Sequence, residues 1–220
     1  MQEVGDVICI ARNEHYDLWE SFVQEKRKML RKLRRSGRWE NTPVMTGESS
    51  SPESSFPNLR TWNIGSGCYS CESGSSSSAI PQNYCDDDAA NVLHERPLFH
   101  TTGATTETIF QEGFDSRLSK QGCFGRGIYF SDDPKKCDKY WRGQSDARVM
   151  FIAQVLLGEA KVFPRGQNDC SLTREPAHHD SVRGHMSVGD EFVVYQNARA
   201  FPMFAVYYTT HGAKSTLKKC

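Results

Sequence analysis

The sequence has no excess of charge of either sign, no long apolar run and no internal repeat. Lysine plus arginine and aspartate plus glutamate each number 27, so the overall field favours neither a nucleic acid nor a membrane surface as a partner. No apolar run is long enough to cross a bilayer, and Met1-Gln2-Glu3 does not open a secretory signal. We therefore expect an intracellular protein, cytoplasmic or nuclear, that makes no membrane contact.

The cysteines are too scattered for a disulfide framework. Of the eight, only Cys68 and Cys71 have the spacing of metal ligands. Cys85 and His94 could complete a zinc site with them, but the spacing of the four residues matches no common zinc pattern. Because the sequence has no secretory signal, reduced thiols are the default. The sequence therefore predicts free cysteines and no metal.

The first 90 residues contain two segments of different character. Apolar residues at three- and four-residue steps predict an amphipathic helix over residues 15–36, ended by Gly37 and preceded by a strand at residues 7–10. Residues 1–41 are therefore assigned to the folded domain. Residues 42–90 are rich in serine and cannot bury enough apolar surface to offset the entropy of ordering. This segment is predicted to be a disordered insertion.

Residues 91–210 are predicted to form the main folded core, and residues 211–220 a tail. Strands are expected near residues 97–100, 128–130, 149–157, 191–195 and 201–208. Short helices are expected from Thr105 and from Asp132-Asp133-Pro134, where an acidic cap precedes a proline. A strand and helix followed by a β-rich body with short helices is typical of an α+β fold.

One stretch of this core combines glycines with an aromatic strand. Phe124-Gly125-Arg126-Gly127 leads directly into Ile128-Tyr129-Phe130. Glycine lets a backbone or a ligand come close, and the tyrosine offers a flat ring with a hydroxyl. The pattern is equally typical of a pocket for a planar ring and of an ordinary glycine-rich hairpin.

The order of the motifs from Pro97 to Tyr208 resembles the catalytic domain of the poly(ADP-ribose) polymerase family, the diphtheria-toxin-like ADP-ribosyltransferases. Upstream, Leu18-Trp19-Glu20 is similar to the centre of a helix that precedes this domain in the smaller members. The matching motifs are Leu98-Phe99-His100, Gly113-Phe114-Asp115, the glycine and tyrosine stretch above, Lys136-Cys137-Asp138-Lys139-Tyr140, Asp190-Glu191-Phe192-Val193-Val194-Tyr195 and Ala198-Arg199-Ala200-Phe201-Pro202.

The resemblance implies an ADP-ribosyltransferase fold of antiparallel-rich, split β-sheets with short flanking helices. It also implies NAD as cosubstrate, no metal, and a His-Tyr-Glu triad formed by His100, Tyr129 and Glu191. His100 would bind the adenine-side ribose, Tyr129 and Tyr140 would enclose the nicotinamide ring, and Glu191 would be the catalytic carboxylate. The implied cofactor-binding residues are His100, Thr101, Thr102, Gly125, Tyr129, Cys137 and Tyr140.

Two positions depart from the family pattern. Thr101 stands where the family has a glycine whose backbone holds the nicotinamide amide, and Cys137 replaces a serine that binds the same amide. A thiol is a weaker donor than a hydroxyl, so we expect looser nicotinamide binding. Arg126 and Lys136 are candidates for pyrophosphate contact, and a solvated surface role is an equal alternative.

The expected activity is transfer of ADP-ribose to a protein side chain, as single units rather than polymer. In the same chemistry the acceptor of ADP-ribose could instead be water, which would make the protein an NAD glycohydrolase, or the end of a nucleic acid. A different class of protein, a catalytically inactive NAD or ADP-ribose reader, is the remaining alternative. The cationic segment Lys26–Arg38 could contact nucleic acid, although such cations often only cover an apolar stripe.

Overall fold

Two four-stranded sheets form the body of the protein. A computed structural model describes residues 6–37, 86–103, 106–143, 147–186 and 189–209. Its strands are β1 (Val7–Arg12), β2 (Arg96–Thr101), β3 (Ile128–Phe130), β4 (Ala147–Val155), β5 (Ala160–Phe163), β6 (Ser181–His185), β7 (Asp190–Val194) and β8 (Ala200–Thr209). Its α-helices are α1 (Tyr16–Arg35), α2 (Asp86–Val92), α3 (Thr106–Glu112) and α4 (Pro134–Asp138).

The first sheet has the strand order β1-β8-β4-β2 and is antiparallel throughout. The second has the order β3-β7-β6-β5, with only β5 and β6 parallel. The edge strands β2 and β3 meet where Phe99 and Ser131 exchange backbone hydrogen bonds of 2.8 and 3.1 Å. The predicted α+β fold with split, antiparallel-rich sheets and short helices is confirmed.

An aromatic core fills the space between the sheets. Phe130 and Phe192 reach it from the second sheet, and Leu98 and Phe151 from the first. Phe114, just after α3, packs edge-on against Phe130 with ring centroids 5.2 Å apart. Burying a side chain of this size contributes about 1.5–3 kcal/mol, so this seam holds the two sheets in one arrangement.

Helix α1 packs against β8 and against the residues just before β8, and a second apolar cluster forms this contact. Phe22 and Met29 pack there with Leu93, Leu156 and Phe201. The helix ends at Arg35, and Gly37 has a φ of 66°, which confirms the predicted stop. None of the helices in the described part of the chain is long and apolar enough to span a membrane.

Two strands were missed by the sequence patterns. Strand β5 has Val162 64% exposed, and β6 contains only one large apolar residue, Val182. Neither strand therefore shows a clear alternation of apolar and polar residues. Most of the predicted insertion, with Cys68, Cys71 and Cys85, lies outside the described residues, which resume with α2 at Asp86.

Candidate active site

His100 lies in β2, opposite Phe151 of β4. Its Nδ1 is 2.8 Å from the carbonyl oxygen of Tyr129. A carbonyl can only accept, so Nδ1 carries the proton and Nε2 is left as an acceptor. Burial lowers the pKa of His100, which keeps the imidazole neutral, and its ring packs edge-on against Phe114. The side chain is thus fixed in one tautomer and one orientation.

Thr101 is the last residue of β2 and is buried. Along a strand the backbone groups of alternate residues point to the same edge, and those of Phe99 point towards Ser131. The N–H and C=O of Thr101 therefore point to the same open edge as those of Phe99. The departure from glycine changes the side chain and leaves the backbone extended. Its hydroxyl has no hydrogen-bond partner among the residues that the structure describes.

Tyr129 lies in β3 beneath the glycine loop of residues 122–125. Its hydroxyl accepts a hydrogen bond from the N–H of Phe124 at 2.9 Å and donates one to the carbonyl of Gly125 at 2.8 Å. A Cβ on Gly122 would lie 2.6 Å from that hydroxyl. Gly125 has a φ of 75°, and a Cβ there would lie 1.8 Å from the carbonyl oxygen of Leu172. Both glycines are therefore needed for the loop to close over Tyr129.

Glu191 shares a face of the second sheet with Tyr129. Tyr129 pairs with Val193 in the antiparallel ladder, and residues two apart on a strand point to the same side. Burial raises the pKa of both Tyr129 and Tyr140, and the negative charge of Glu191 contributes to the increase in each. The carboxylate therefore lies close to both phenols.

Lys136 of α4 forms an ion pair with Glu191. Its Nζ is 3.1 Å from Oε1 of Glu191 and donates a hydrogen bond of 3.1 Å to the carbonyl of Gly189. Lys136 is 5% exposed and Glu191 is 8% exposed. The expectation of a solvated surface role for Lys136 is wrong, because the ammonium is buried against the carboxylate, and a pyrophosphate contact stays a prediction. Arg126 is exposed.

Cys137 and Tyr140 follow Lys136 along α4. The Cys137 thiol donates to the carbonyl of Phe99 at 3.2 Å, and burial raises the pKa of the thiol to about 12. Tyr140 lies two residues beyond α4 and is 52% exposed. Thr102 follows β2 directly and is half-buried. The structure thus brings the predicted residues to the edge where β2, β3 and α4 meet.

Three supporting residues, Ser131, Arg183 and His185, were not predicted from the sequence, and all three bond to Asp190. Ser131 donates through Oγ to the carbonyl of Asp190 at 2.8 Å. The Asp190 side chain bonds to Arg183 at 2.7 Å and to His185 at 3.0 Å. These contacts hold the start of β7 next to Glu191. Their only signal in the sequence is proximity to the motifs, because partners on other strands leave no local pattern.

No group of three or more histidine, cysteine, aspartate or glutamate side chains suited to a metal occurs within the described ranges. Cys68, Cys71 and Cys85 lie outside those ranges. His94 is half-buried, and its pKa is lowered by burial and by the charge of Arg96. The groups gathered at this site are two phenols, an imidazole and a carboxylate in an ion pair.

Comparison with known proteins gives several relatives. The human protein mono-ADP-ribosyltransferase PARP12 is 30% identical over 138 residues, which cover 58% of this chain and 19% of that protein. The mouse protein of the same name is 32% identical over 128 residues, covering 54% of this chain and 17% of that protein. The Arabidopsis thaliana protein named probable inactive poly [ADP-ribose] polymerase SRO5 is 32% identical over 106 residues, 46% of this chain and 34% of that protein. The chain thus spans about a fifth of the length of the human and mouse relatives.

Residues 75–218, about two thirds of the chain, match the family model of the poly(ADP-ribose) polymerase catalytic domain. The match includes every predicted site residue from His100 to Glu191. Together with the split-sheet fold, it establishes that the chain belongs to the poly(ADP-ribose) polymerase catalytic domain family.

Proposed function

We propose that the protein is an NAD-dependent mono-ADP-ribosyltransferase acting on protein side chains. The observation that carries the proposal is the position of Glu191, buried on the same sheet face as Tyr129 and paired with Lys136 of α4, within a poly(ADP-ribose) polymerase catalytic domain. A single-unit product is favoured because the human and mouse relatives are named mono-ADP-ribosyltransferases.

The residues of this site offer a partner for the nicotinamide ring of NAD, for its carboxamide and for the adenine-side ribose. Tyr129 and Tyr140 would enclose the nicotinamide ring, and stacking of this kind contributes about 0.5–1.5 kcal/mol beyond the burial of area. The backbone edge of Thr101 would hold the carboxamide, since its N–H and C=O point away from β4. Nε2 of His100 would accept a hydrogen bond from the adenine-side ribose.

In the reaction the bond between the nicotinamide nitrogen and the ribose breaks, and nicotinamide leaves with the electron pair. Positive charge develops at the anomeric carbon, which a carboxylate against the ribose hydroxyls stabilises. Because Lys136 occupies Oε1 of Glu191, Oε2 is the oxygen left for the ribose. The acceptor side chain then forms a bond to the anomeric carbon and releases its proton.

Incubation of the purified protein with labelled NAD tests the proposal, following released nicotinamide and label on protein together. Glu191→Gln should lower both by roughly 100- to 1000-fold while NAD affinity is largely kept, because the lost group acts on developing charge. Glu25→Gln is a matched control, since Glu25 of α1 is 7% exposed and paired with Lys28 of the same helix and with Arg199, just before β8. It should lower stability and leave both signals in place.

The outcomes separate the alternatives. Nicotinamide release without labelling of protein would indicate an NAD glycohydrolase or a nucleic-acid acceptor. NAD binding with neither signal in the wild type would contradict the enzyme and indicate an inactive reader; the Arabidopsis relative is itself named a probable inactive poly [ADP-ribose] polymerase. Equal losses in Glu191→Gln and Glu25→Gln would contradict a catalytic role for Glu191.

A nucleic-acid partner for α1 stays a prediction with less support. Lys26 and Lys32 form ion pairs with Glu95 at 2.9 Å and Asp180 at 2.7 Å, so they act within the fold. Arg35 is exposed in the last turn of α1, but a cation at that place is also favoured by the helix dipole.

A further inference from the structure

We propose that Asp138 is a positioning residue that holds Tyr140 against the nicotinamide and so sets the affinity for NAD. The proposal rests on the function proposed above and adds a residue outside the His-Tyr-Glu triad. It follows from the contacts at the C-terminal end of α4.

Asp138 is the last residue of α4 and is held by the first sheet. Tyr208 of β8 donates its hydroxyl to Oδ1 of Asp138 at 2.6 Å. Arg148 of β4 donates from one guanidinium nitrogen to both carboxylate oxygens, each at 2.7 Å. Tyr208 is 3% exposed, and burial together with the bond to Asp138 raises the pKa of its phenol. Short bonds to an ionised carboxylate are among the stronger ones in proteins.

Helix α4 is too short to be stable without contacts to the rest of the protein. It has five residues, far below the length at which a helix is stable by itself, so its placement depends on contacts with the sheets. Lys136 ties its middle to Gly189 and Glu191, and Cys137 ties it to Phe99. Asp138 supplies the polar anchor beyond these two residues.

Tyr140 takes its position from that anchored end. Its N–H donates to the carbonyl of Cys137 at 2.9 Å, so its backbone is fixed to α4. The Tyr140 hydroxyl makes no hydrogen bond to any residue that the structure describes, and the ring is 52% exposed. Asp138 lies between Cys137 and Tyr140 in the chain, and its carbonyl accepts a hydrogen bond of 3.1 Å from the N–H of Trp141, the residue after Tyr140. Loss of the Asp138 anchor should therefore loosen the segment that carries the Tyr140 ring, while Lys136 and Cys137 keep the Lys136–Glu191 pair in place.

Steady-state kinetics and NAD binding with the full chain test this division. Asp138→Ala should raise the KM and Kd for NAD roughly threefold to tenfold, the range expected for a lost stacking contact, with kcat changed less than about twofold. Tyr208→Phe should raise KM in the same direction by less. Asp138→Asn, which keeps an oxygen acceptor for Tyr208, should recover part of the loss.

A double-mutant cycle with Tyr140→Ala distinguishes positioning from general destabilisation. If Asp138 acts through Tyr140, Asp138→Ala in the Tyr140→Ala background adds no further rise in KM. Additive effects, or a fall in kcat as large as the rise in KM, would overturn the proposal. Asp180→Ala is the control, because it breaks a comparable ion pair with Lys32 and should lower thermal stability without changing KM.

The same data separate this proposal from the proposed function. A wild type that binds NAD and releases nicotinamide, with additive cycle effects, overturns only the role of Asp138. A wild type that neither binds NAD nor releases nicotinamide overturns both.

Discussion

At the scale of single residues, the buried pair of Lys136 and Glu191 has the largest consequences. Moving two charges out of water costs several kcal/mol for each, and their attraction recovers this only when both are present. With Lys136 5% and Glu191 8% exposed, neither can turn to solvent without repacking. Removing either partner should therefore destabilise the fold, and the pair orients the carboxylate.

Lys136→Met should lower the free energy of unfolding by about 3–5 kcal/mol, because it leaves Glu191 charged, buried and unpaired. Urea unfolding measures the loss. Adding Glu191→Gln to the same variant removes the stranded charge and should recover part of it. Lys28→Met is the control, since Lys28 is paired with Glu25 but 65% exposed in its side chain, and should cost under about 1 kcal/mol. Equal losses in the two lysine variants would contradict the argument.

At the scale of elements, the glycine loop of residues 122–125 and helix α4 are the two pieces that enclose the tyrosines. Neither is stable alone, and each is placed by contacts to strands distant in the chain. The loop is held by Tyr129 from below, by the Tyr195 hydroxyl on the Phe124 carbonyl at 2.7 Å, and by the Leu172 carbonyl on the N–H of Arg126 at 2.7 Å. Tertiary contacts therefore position both parts of the predicted site for a planar ring, the glycine loop next to Tyr129 and helix α4 next to Tyr140.

Gly125→Ala should destabilise the protein by more than Gly166→Ala and should raise the KM for NAD roughly threefold to tenfold by moving Tyr129. Both glycines have positive φ, 75° and 78°, so both substitutions carry a backbone cost of about 1–2 kcal/mol. Only at Gly125 would the new Cβ also meet backbone, at 1.8 Å from Leu172, whereas nothing lies within 4 Å at Gly166. Thermal unfolding compares the stability of the two variants, and steady-state kinetics compares their KM for NAD. Identical behaviour would show that the close approach has no role.

At the scale of the whole molecule, stability should be greatest between about pH 6.5 and 9. Burial holds the pKa of His100 in the folded protein below its ordinary value of 6.5, so below that pH the unfolded chain binds more protons and stability falls. The folded pKa of Cys137 is about 12 against 9.0, so above pH 9 the folded chain keeps a proton that the unfolded chain has lost. Stability therefore falls again as pH rises from 9 towards 12.

Free energies of unfolding in urea at pH 5, 7, 9 and 10.5 should trace this curve. Cys137→Ala should flatten the alkaline side, and His100→Gln should flatten the acid side. Above pH 10 a further fall is expected from Tyr129, Tyr195 and Tyr208, whose pKa values burial raises above 10. If the free energy of unfolding of each variant changed with pH in the same way as that of the wild type, the assignment of the acid fall to His100 and of the alkaline fall to Cys137 would be contradicted.

The family and the α+β fold could be predicted from the sequence because the motifs are local. His100, Tyr129 and Glu191 each lie inside a short apolar strand whose pattern is visible in the chain. The order of these motifs along the chain is enough to predict that the three residues belong to one site, without any knowledge of the distances between them. Their catalytic and binding roles stay predictions that the NAD experiments test.

What the sequence by itself determined, then, was the position of six of the eight strands in the described part of the chain, and the residue types that they carry. Only the tertiary structure decided that Lys136 is buried against Glu191, that Asp138 is held by Tyr208, and that Leu172 closes over Gly125. Each of these contacts joins residues at least 47 positions apart, a gap read from their numbers, and depends on how two sheets pack. Patterns of three or four residues record local backbone preference and carry no information about such partners.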